Sequence, residues 1–341
     1  MGSRTKIVVT VVALTTILII PSAVLSPLGA TNAGSMIGLG GLGIAFVAVA
    51  AGRRVALYAS GALGVAALLT VDGAAIPILG VAAMMAVAIG QGISSRWGWH
   101  RSFVVLPITL AFITSESILA PPLEAPITFA FAITGYAALI ALIISTLTER
   151  LKRASDDDED TDDEPDTPWD HVIGYAAMLA IATGVTTTIV LLNDWGHTGG
   201  WLIMTPFIVI QPSVRDGMPK AINRALGTIA GFAIAYVAAD LLGPGPALTL
   251  IGYGFAVGAV IAMVKHWHYA VYATLLTPAV VILESVGRSV QETSDHRLVA
   301  TLLSVAISLA VMAIAILIDR LLRNRLSSSA ESTSGLTGPG D

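Results

Sequence analysis

Four cations in this chain could hold an anion, and three carboxyls could carry a proton. Arg54 and Arg224 each stand where an apolar segment is expected to begin. A helix start offers unpaired N–H groups and the positive end of the helix dipole, both of which favour an anion. A guanidinium there can add two parallel bonds to a carboxylate. Arg215 and Lys220 lie close by in sequence and would raise the local anion concentration. All four could equally be ordinary anchors on a positively charged membrane face. Glu284, Asp240 and Glu116 fall inside apolar stretches, and Asp72 falls near an expected loop. A carboxyl at membrane depth must be neutral or paired, so Glu284, Asp240 and Glu116 are candidate coupling residues. Glu284 leads because Arg288 lies one turn away, although the two could form a plain surface pair.

Other chemistries find no support. Cysteine is absent, which removes disulfides, thiolate metal sites and catalytic thiols. His266 and His268 are two apart and would point to different helix faces, so no metal is expected there. Asp194 and His197 lack a third ligand or a nucleophile. No Ser-His-Asp constellation, Walker lysine loop or dinucleotide fingerprint occurs. The expectation is a protein that is not an enzyme and needs no cofactor.

The elements that must position these residues follow from composition. Hydrophobic residues make up 55% of the chain, charged residues only 12%, and mean hydropathy is +0.80. Soluble domains hold about twice that charged fraction. The net charge of −5 comes from one run, Asp156 to Asp166, with nine acidic residues. Of the 18 Lys and Arg, 16 fall in every second connection, from Arg4 and Lys6 through Arg53, Arg96, Arg150, Arg215 and Lys265 to Arg320. The alternate connections are expected to hold only Arg288 and Arg297. Positive charge collects on the cytoplasmic side of helical membrane proteins. The expectation is an all-α polytopic membrane protein of about twelve transmembrane helices, with both termini cytoplasmic. The spans read 7–25, 34–51, 54–70, 74–93, 102–119 and 126–148, then 171–192, 199–213, 221–242, 246–264, 268–286 and 297–319.

The halves look alike. A shift of 170 positions aligns Arg54 with Arg224, Gly61 with Gly231, Trp97 with Trp267 and Arg150 with Arg320. An even number of spans per half makes the repeats parallel. The first apolar segment could pass for a signal peptide, but its counterpart near Gly174 lies mid-chain, so it is expected to be retained. The domain reading is a first six-helix repeat over 1–153, an acidic disordered linker over 154–169, a second repeat over 170–325 and a disordered tail over 326–341.

The eighth span is the unusual one. Gly199 to Pro212 is too short to cross a hydrocarbon core of about 30 Å as a helix, and it carries Pro206. Its counterpart is rich in glycine at Gly34, Gly38, Gly40, Gly41 and Gly43. Interrupted helices at matching places in two repeats point to a binding site, although glycines can simply permit close packing. Here the chain reads Gly200-Trp201-Leu202, Gln211-Pro212-Ser213 and Arg224-Ala225-Leu226-Gly227-Thr228, then Gly231. This resembles the fusaric acid resistance (FUSC-like) family of inner-membrane proteins, in which a Trp-led helix ends in Gln-Pro-Ser and an Arg precedes Gly-Thr-x-x-Gly. The likeness extends to Arg297-Leu298 and Thr301. It departs at Ala300, where the family commonly shows Asp, and in lacking the large cytoplasmic domain of related exporters.

That resemblance implies an inner-membrane protein that moves organic anions, and it adds Trp201 and Gln211 to the binding set. The expected function is gradient-driven efflux of small organic anions such as aromatic carboxylates. A passive organic-anion channel and a membrane scaffold without transport are the alternatives. Expected partners are the anions and the lipid bilayer, with a homo-oligomer left open. Nucleic acid is not expected, for want of a basic stripe or stacking platform.

Overall fold

The computed structural model describes residues 3–72, 76–115, 122–155, 167–193, 195–243, 245–265, 267–284 and 290–334. Every regular element among them is helical. The first half holds α1 (Ser3–Leu25), α2 (Thr31–Asp72), α3 (Pro77–Ser94), α4 (His100–Phe103), α5 (Val105–Ser115) and α6 (Pro126–Ser155). The second holds α7 (Trp169–Asn193), α8 (Gly199–Val209), α9 (Val214–Leu242), α10 (Pro246–Val264), α11 (Tyr269–Glu284) and α12 (Val290–Ser334). Proline opens α3, α6 and α10, where its missing N–H costs nothing. Among the described residues, six helices, α2, α3, α6, α7, α9 and α12, contain a stretch long and apolar enough to cross a membrane, and shorter apolar helices accompany them. Leu250, Tyr253 and Val257 on α10 are more than half exposed. Such a surface suits lipid and would be a liability in water.

The expected second and third spans form one continuous run, α2, broken only at Gly52, where φ is 79°. That conformation is open to glycine and strained for side chains with a Cβ. The glycines before it do not interrupt the helix, contrary to expectation. A Cβ at Gly34 would lie 2.7 Å from Pro21 O, and one at Gly38 would strike Leu18 O, so α1 rests directly on α2. One at Gly43 would lie 2.6 Å from Leu106 of α5. These glycines are packing devices.

The second half breaks elsewhere. Helix α8 holds 11 residues, roughly 17 Å of rise, and runs through Pro206 before unwinding at Ile210, where φ is −73° and ψ 126°. The chain bends at Pro212 and Ser213, the latter extended with φ −99° and ψ 120°, and then α9 begins. Leu202, Ile203, Phe207 and Val209 are buried, which places α8 in the main core between α5, α7 and α12. A smaller cluster of Phe232, Leu248, Val281 and Ile282 joins α9, α10 and α11. Helix α12 begins at Val290, so Arg297 lies inside a helix rather than in the connection where it was expected. It also continues to Ser334, into the segment expected to be disordered. Residues 156–166 of the acidic linker, and Glu116, lie outside the described residues.

Candidate functional site

One cavity in the second half gathers cationic and hydroxyl side chains at the meeting of α8, α9, α11 and α12. Trp201, Arg224, Thr228, Thr277, Arg297 and Thr301 line it, with Phe232, Leu276, Val280 and Val281 as an apolar wall. Helices α9 and α12 make the same contribution to it. Arg224 and Thr228 are four apart on α9, and Arg297 and Thr301 are four apart on α12, so each pair shares one helix face. Arg224 is 3% exposed, Thr228 2%, Arg297 3% and Thr301 3%.

The close approach of α9 to α11 shapes this space. A Cβ on Gly227 would stand 2.6 Å from Ala273 Cβ, and one on Gly231 would stand 2.6 Å from Thr277 Cβ. Only glycine at both places lets the two helices close on the cavity. Across it, Ser304 Oγ donates to Leu202 O at 2.7 Å and ties α12 to α8 beside Trp201. The Trp201 ring lies edge-on to Phe112 of α5, with centroids 5.5 Å apart. Its face receives the Arg297 guanidinium, 4.0 Å from ring centroid to guanidinium carbon. A guanidinium so placed is attracted by the ring quadrupole and held in orientation.

The polar atoms are under-used. Arg224 Nε, Trp201 Nε1 and Thr228 Oγ1 are buried with no hydrogen-bond partner among the described residues. A buried guanidinium stays charged, and leaving its donors unmet costs several kcal/mol. An oxyanion is the ligand that would satisfy an N–H of Arg224, the indole N–H and a threonine hydroxyl together. The room open to the centre of a water-sized sphere is about 20 Å³, space for one water. A larger guest requires the helices to part.

Of the residues singled out from the sequence, Trp201 and Arg224 meet in this cavity. Arg224 does so from the eleventh position of α9, some 15 Å along the helix, so the helix-start argument made for it does not apply. Arg54 follows the Gly52 break directly and is exposed. Arg215 is exposed in the first turn of α9. Gln211 is committed to the unwound end of α8, where Nε2 donates to Ile208 O at 3.1 Å and Ile210 O at 2.9 Å. Lys220 Nζ lies 5.5 Å from the centroid of the Tyr269 ring, and Tyr269 is 5.9 Å from Tyr272, which is within electrostatic reach of Arg224. Lys220 and Arg224 are thus joined by two tyrosines. Asp240 is exposed near the end of α9. Glu284 is the last residue of α11, and its side chain lies outside the described residues, as Glu116 does entirely. Among the residues described, no group of three His, Asp or Glu could hold a metal.

The sequence model of the fusaric acid resistance protein-like family matches residues 176–311, a stretch that contains every lining residue of the cavity. Over those residues the chain is similar to the fusaric acid resistance protein-like family. With six described helices long and apolar enough to cross a membrane, the chain is a multi-pass membrane protein. Comparisons with curated proteins and with solved structures found no match.

Arg297, Thr228 and Thr301 were not singled out as binding residues. The sequence carries a repeated Arg-x-x-x-Thr spacing, but with Arg297 at the edge of the expected last span and counted with the connection before it, the shared helix face does not show.

Proposed function

We propose that the chain is an inner-membrane exporter of small organic anions, aromatic carboxylates among them, built from two parallel six-helix repeats with twelve crossings. The observation that carries this reading is the buried Arg224 guanidinium, with Nε unpartnered beside the unpartnered Trp201 and Thr228 donors of one cavity. A carboxylate would take its bonds from Arg224, Thr228 and the Trp201 indole. Its apolar body would lie against Phe232, Leu276, Val280 and Val281. Arg297, braced on Trp201, adds a second fixed positive charge.

We read the site as a carrier's, since a discrete pocket ringed by a few fixed donors suits a guest that is bound and released in turn. An ion gradient is the proposed energy source, since the sequence offers no nucleotide-binding loop.

The test is flux of radiolabelled benzoate in proteoliposomes under an imposed pH gradient. The wild-type protein should drive accumulation, and Arg224→Ala should abolish most of it while inserting at normal abundance. Arg224→Lys should recover a minor part, because an ammonium lacks the planar fork. Unchanged flux in Arg224→Ala would return this residue to a structural role. Flux that follows voltage and ignores the pH gradient would make the protein a channel.

A further inference from the structure

A second group of unmet polar atoms lies at the basic end of the bundle, where the first half meets the second. His100 opens α4, the short helix connecting α3 to α5. Its ring lies edge-on to Tyr175 of α7, with centroids 6.1 Å apart. His100 Nδ1 and Tyr269 Oη are buried without a hydrogen-bond partner among the described residues, while the Tyr175 hydroxyl is within hydrogen-bonding reach of the buried Gln91 side chain. Tyr175 is 1% exposed.

Two cations flank this group, one from each half. Arg101 follows His100 at the rim, and Lys220 reaches in from α9 and rests over Tyr269. Both charges act on His100, and they act on one another. Helices α2, α3 and α5 also pack on α4, but no charge from them acts on the imidazole among the described residues. Arg96 is turned away, donating to Thr167 O and stacking on Trp169 at 5.4 Å. Two cations and an imidazole thus meet beside the unpartnered Tyr269 hydroxyl, an arrangement that an anion would complete.

We propose that this seam is a second anion site, in which Lys220 and Arg101 hold an oxyanion that draws a proton from the adjoining water onto His100. Burial first, then the Arg101 and Lys220 charges, push the empty site's imidazole down to about 4, so it is neutral near pH 7. An anion between the cations cancels their repulsion and adds an attraction of its own. By reciprocity, whatever favours the proton when the anion is bound favours the anion when the proton is bound. Lys220 rests over Tyr269, Tyr269 lies beside Tyr272, and Tyr272 feels the Arg224 charge, so the seam lies within electrostatic reach of the cavity. The binding step does not depend on the transport reading.

The experiment uses the full-length protein in nanodiscs with Arg224→Ala, which silences the cavity. The probe is benzenesulfonate, whose charge is constant over the range, measured by equilibrium binding. If the occupied site restores His100 to about 6.5, affinity should rise roughly tenfold between about pH 7.5 and about pH 5.5. Adding His100→Gln should keep the binding seen at the higher pH and remove the pH dependence. Adding Lys220→Met should abolish binding, and Lys220→Arg should retain it. The proposal is overturned if the Arg224→Ala protein binds no probe, if Lys220→Met binds normally, or if the pH dependence survives His100→Gln. Failure here leaves the benzoate flux of the wild-type protein untouched, so it is distinct from failure of the transport reading.

Discussion

The guanidinium carbon of Arg297 stands 4.0 Å from the centroid of the Trp201 ring, which joins α12 to the short helix α8 at the wall of the cavity. The contact uses the face of the indole and leaves its N–H free for a guest. The two roles of Trp201 can therefore be separated. Trp201→Phe should keep much of the stack and lose the donor. A charge-assisted hydrogen bond contributes about 1.5 to 3 kcal/mol, so KM for benzoate should rise by about tenfold or more with little change in thermal stability. Trp201→Leu should lose the stack as well and lower both transport and the melting temperature. Equal KM values in Trp201→Phe and wild type would remove the indole N–H from the site.

Gln211 and Arg54 share a sequence rationale with Trp201 and Arg224 but not their surroundings. Gln211→Ala leaves the carbonyls of Ile208 and Ile210 without their side-chain donor, at a cost of about 1 to 3 kcal/mol. Thermal denaturation in detergent should register the loss, while KM stays near wild type wherever the protein remains folded. Arg54→Ala alters an exposed residue and should change neither KM nor benzoate affinity. A rise in KM for Arg54→Ala would show that the first half has a binding role of its own.

Gly231 separates a packing requirement from a chemical one. A Cβ there would lie 2.6 Å from Thr277 Cβ and 2.9 Å from Pro278 Cδ, closer than van der Waals contact permits. Gly231→Ala should force α9 and α11 apart, destabilise by about 1 to 3 kcal/mol and distort the cavity. At Gly61, its partner at the 170-residue shift, a Cβ would meet nothing within 4 Å, so Gly61→Ala should be silent in both melting and flux assays.

Most helices were legible because lipid-exposed apolar runs and positive connections are strong, repeated signals. Helices occur where spans are expected, with the Gly52 break between the second and third, although α8 is shorter and α12 longer at both ends than expected. Three features were not legible. A Gly-rich stretch can break a helix or let one pack closely, and only the position of Leu18 and Pro21 against Gly38 and Gly34 decides it. Charge sorting by connection sets Arg297 at the first residue of the last span, whereas α12 starts at Val290 and holds Arg297 two turns inside. Finally, His100 meets Lys220 and Tyr175 only through packing between the halves, which no local pattern encodes.

The charged connections carry a topological prediction. Arg96 donates to Thr167 O, and Arg101 acts on Lys220, so the link before α5, the residues preceding α7 and the start of α9 share one end of the bundle. If that end is cytoplasmic, reporters fused after Arg54, Arg153 and Arg325 should read inside, and those after Asp72 and Gly243 outside. One reversed reporter would break the twelve-crossing arrangement.

His100 also predicts how stability responds to acid. Its imidazole is pushed down to about 4 when folded, against about 6.5 in an unfolded chain. Between those values the unfolded state binds more protons than the folded one, so stability falls as the pH drops. The loss begins near pH 6.5 and is complete below about pH 4. Comparing wild type with His100→Gln isolates this group, because carboxyls titrating over the same range contribute equally to both. Melting temperature should fall more steeply for wild type than for His100→Gln between about pH 7 and about pH 5. Saturating benzenesulfonate should narrow the gap, since an anion at the seam raises the folded imidazole towards its unfolded value. Parallel melting curves at every pH would mean that the His100 imidazole is free to protonate in the folded protein, and that Arg101 and Lys220 do not bear on it.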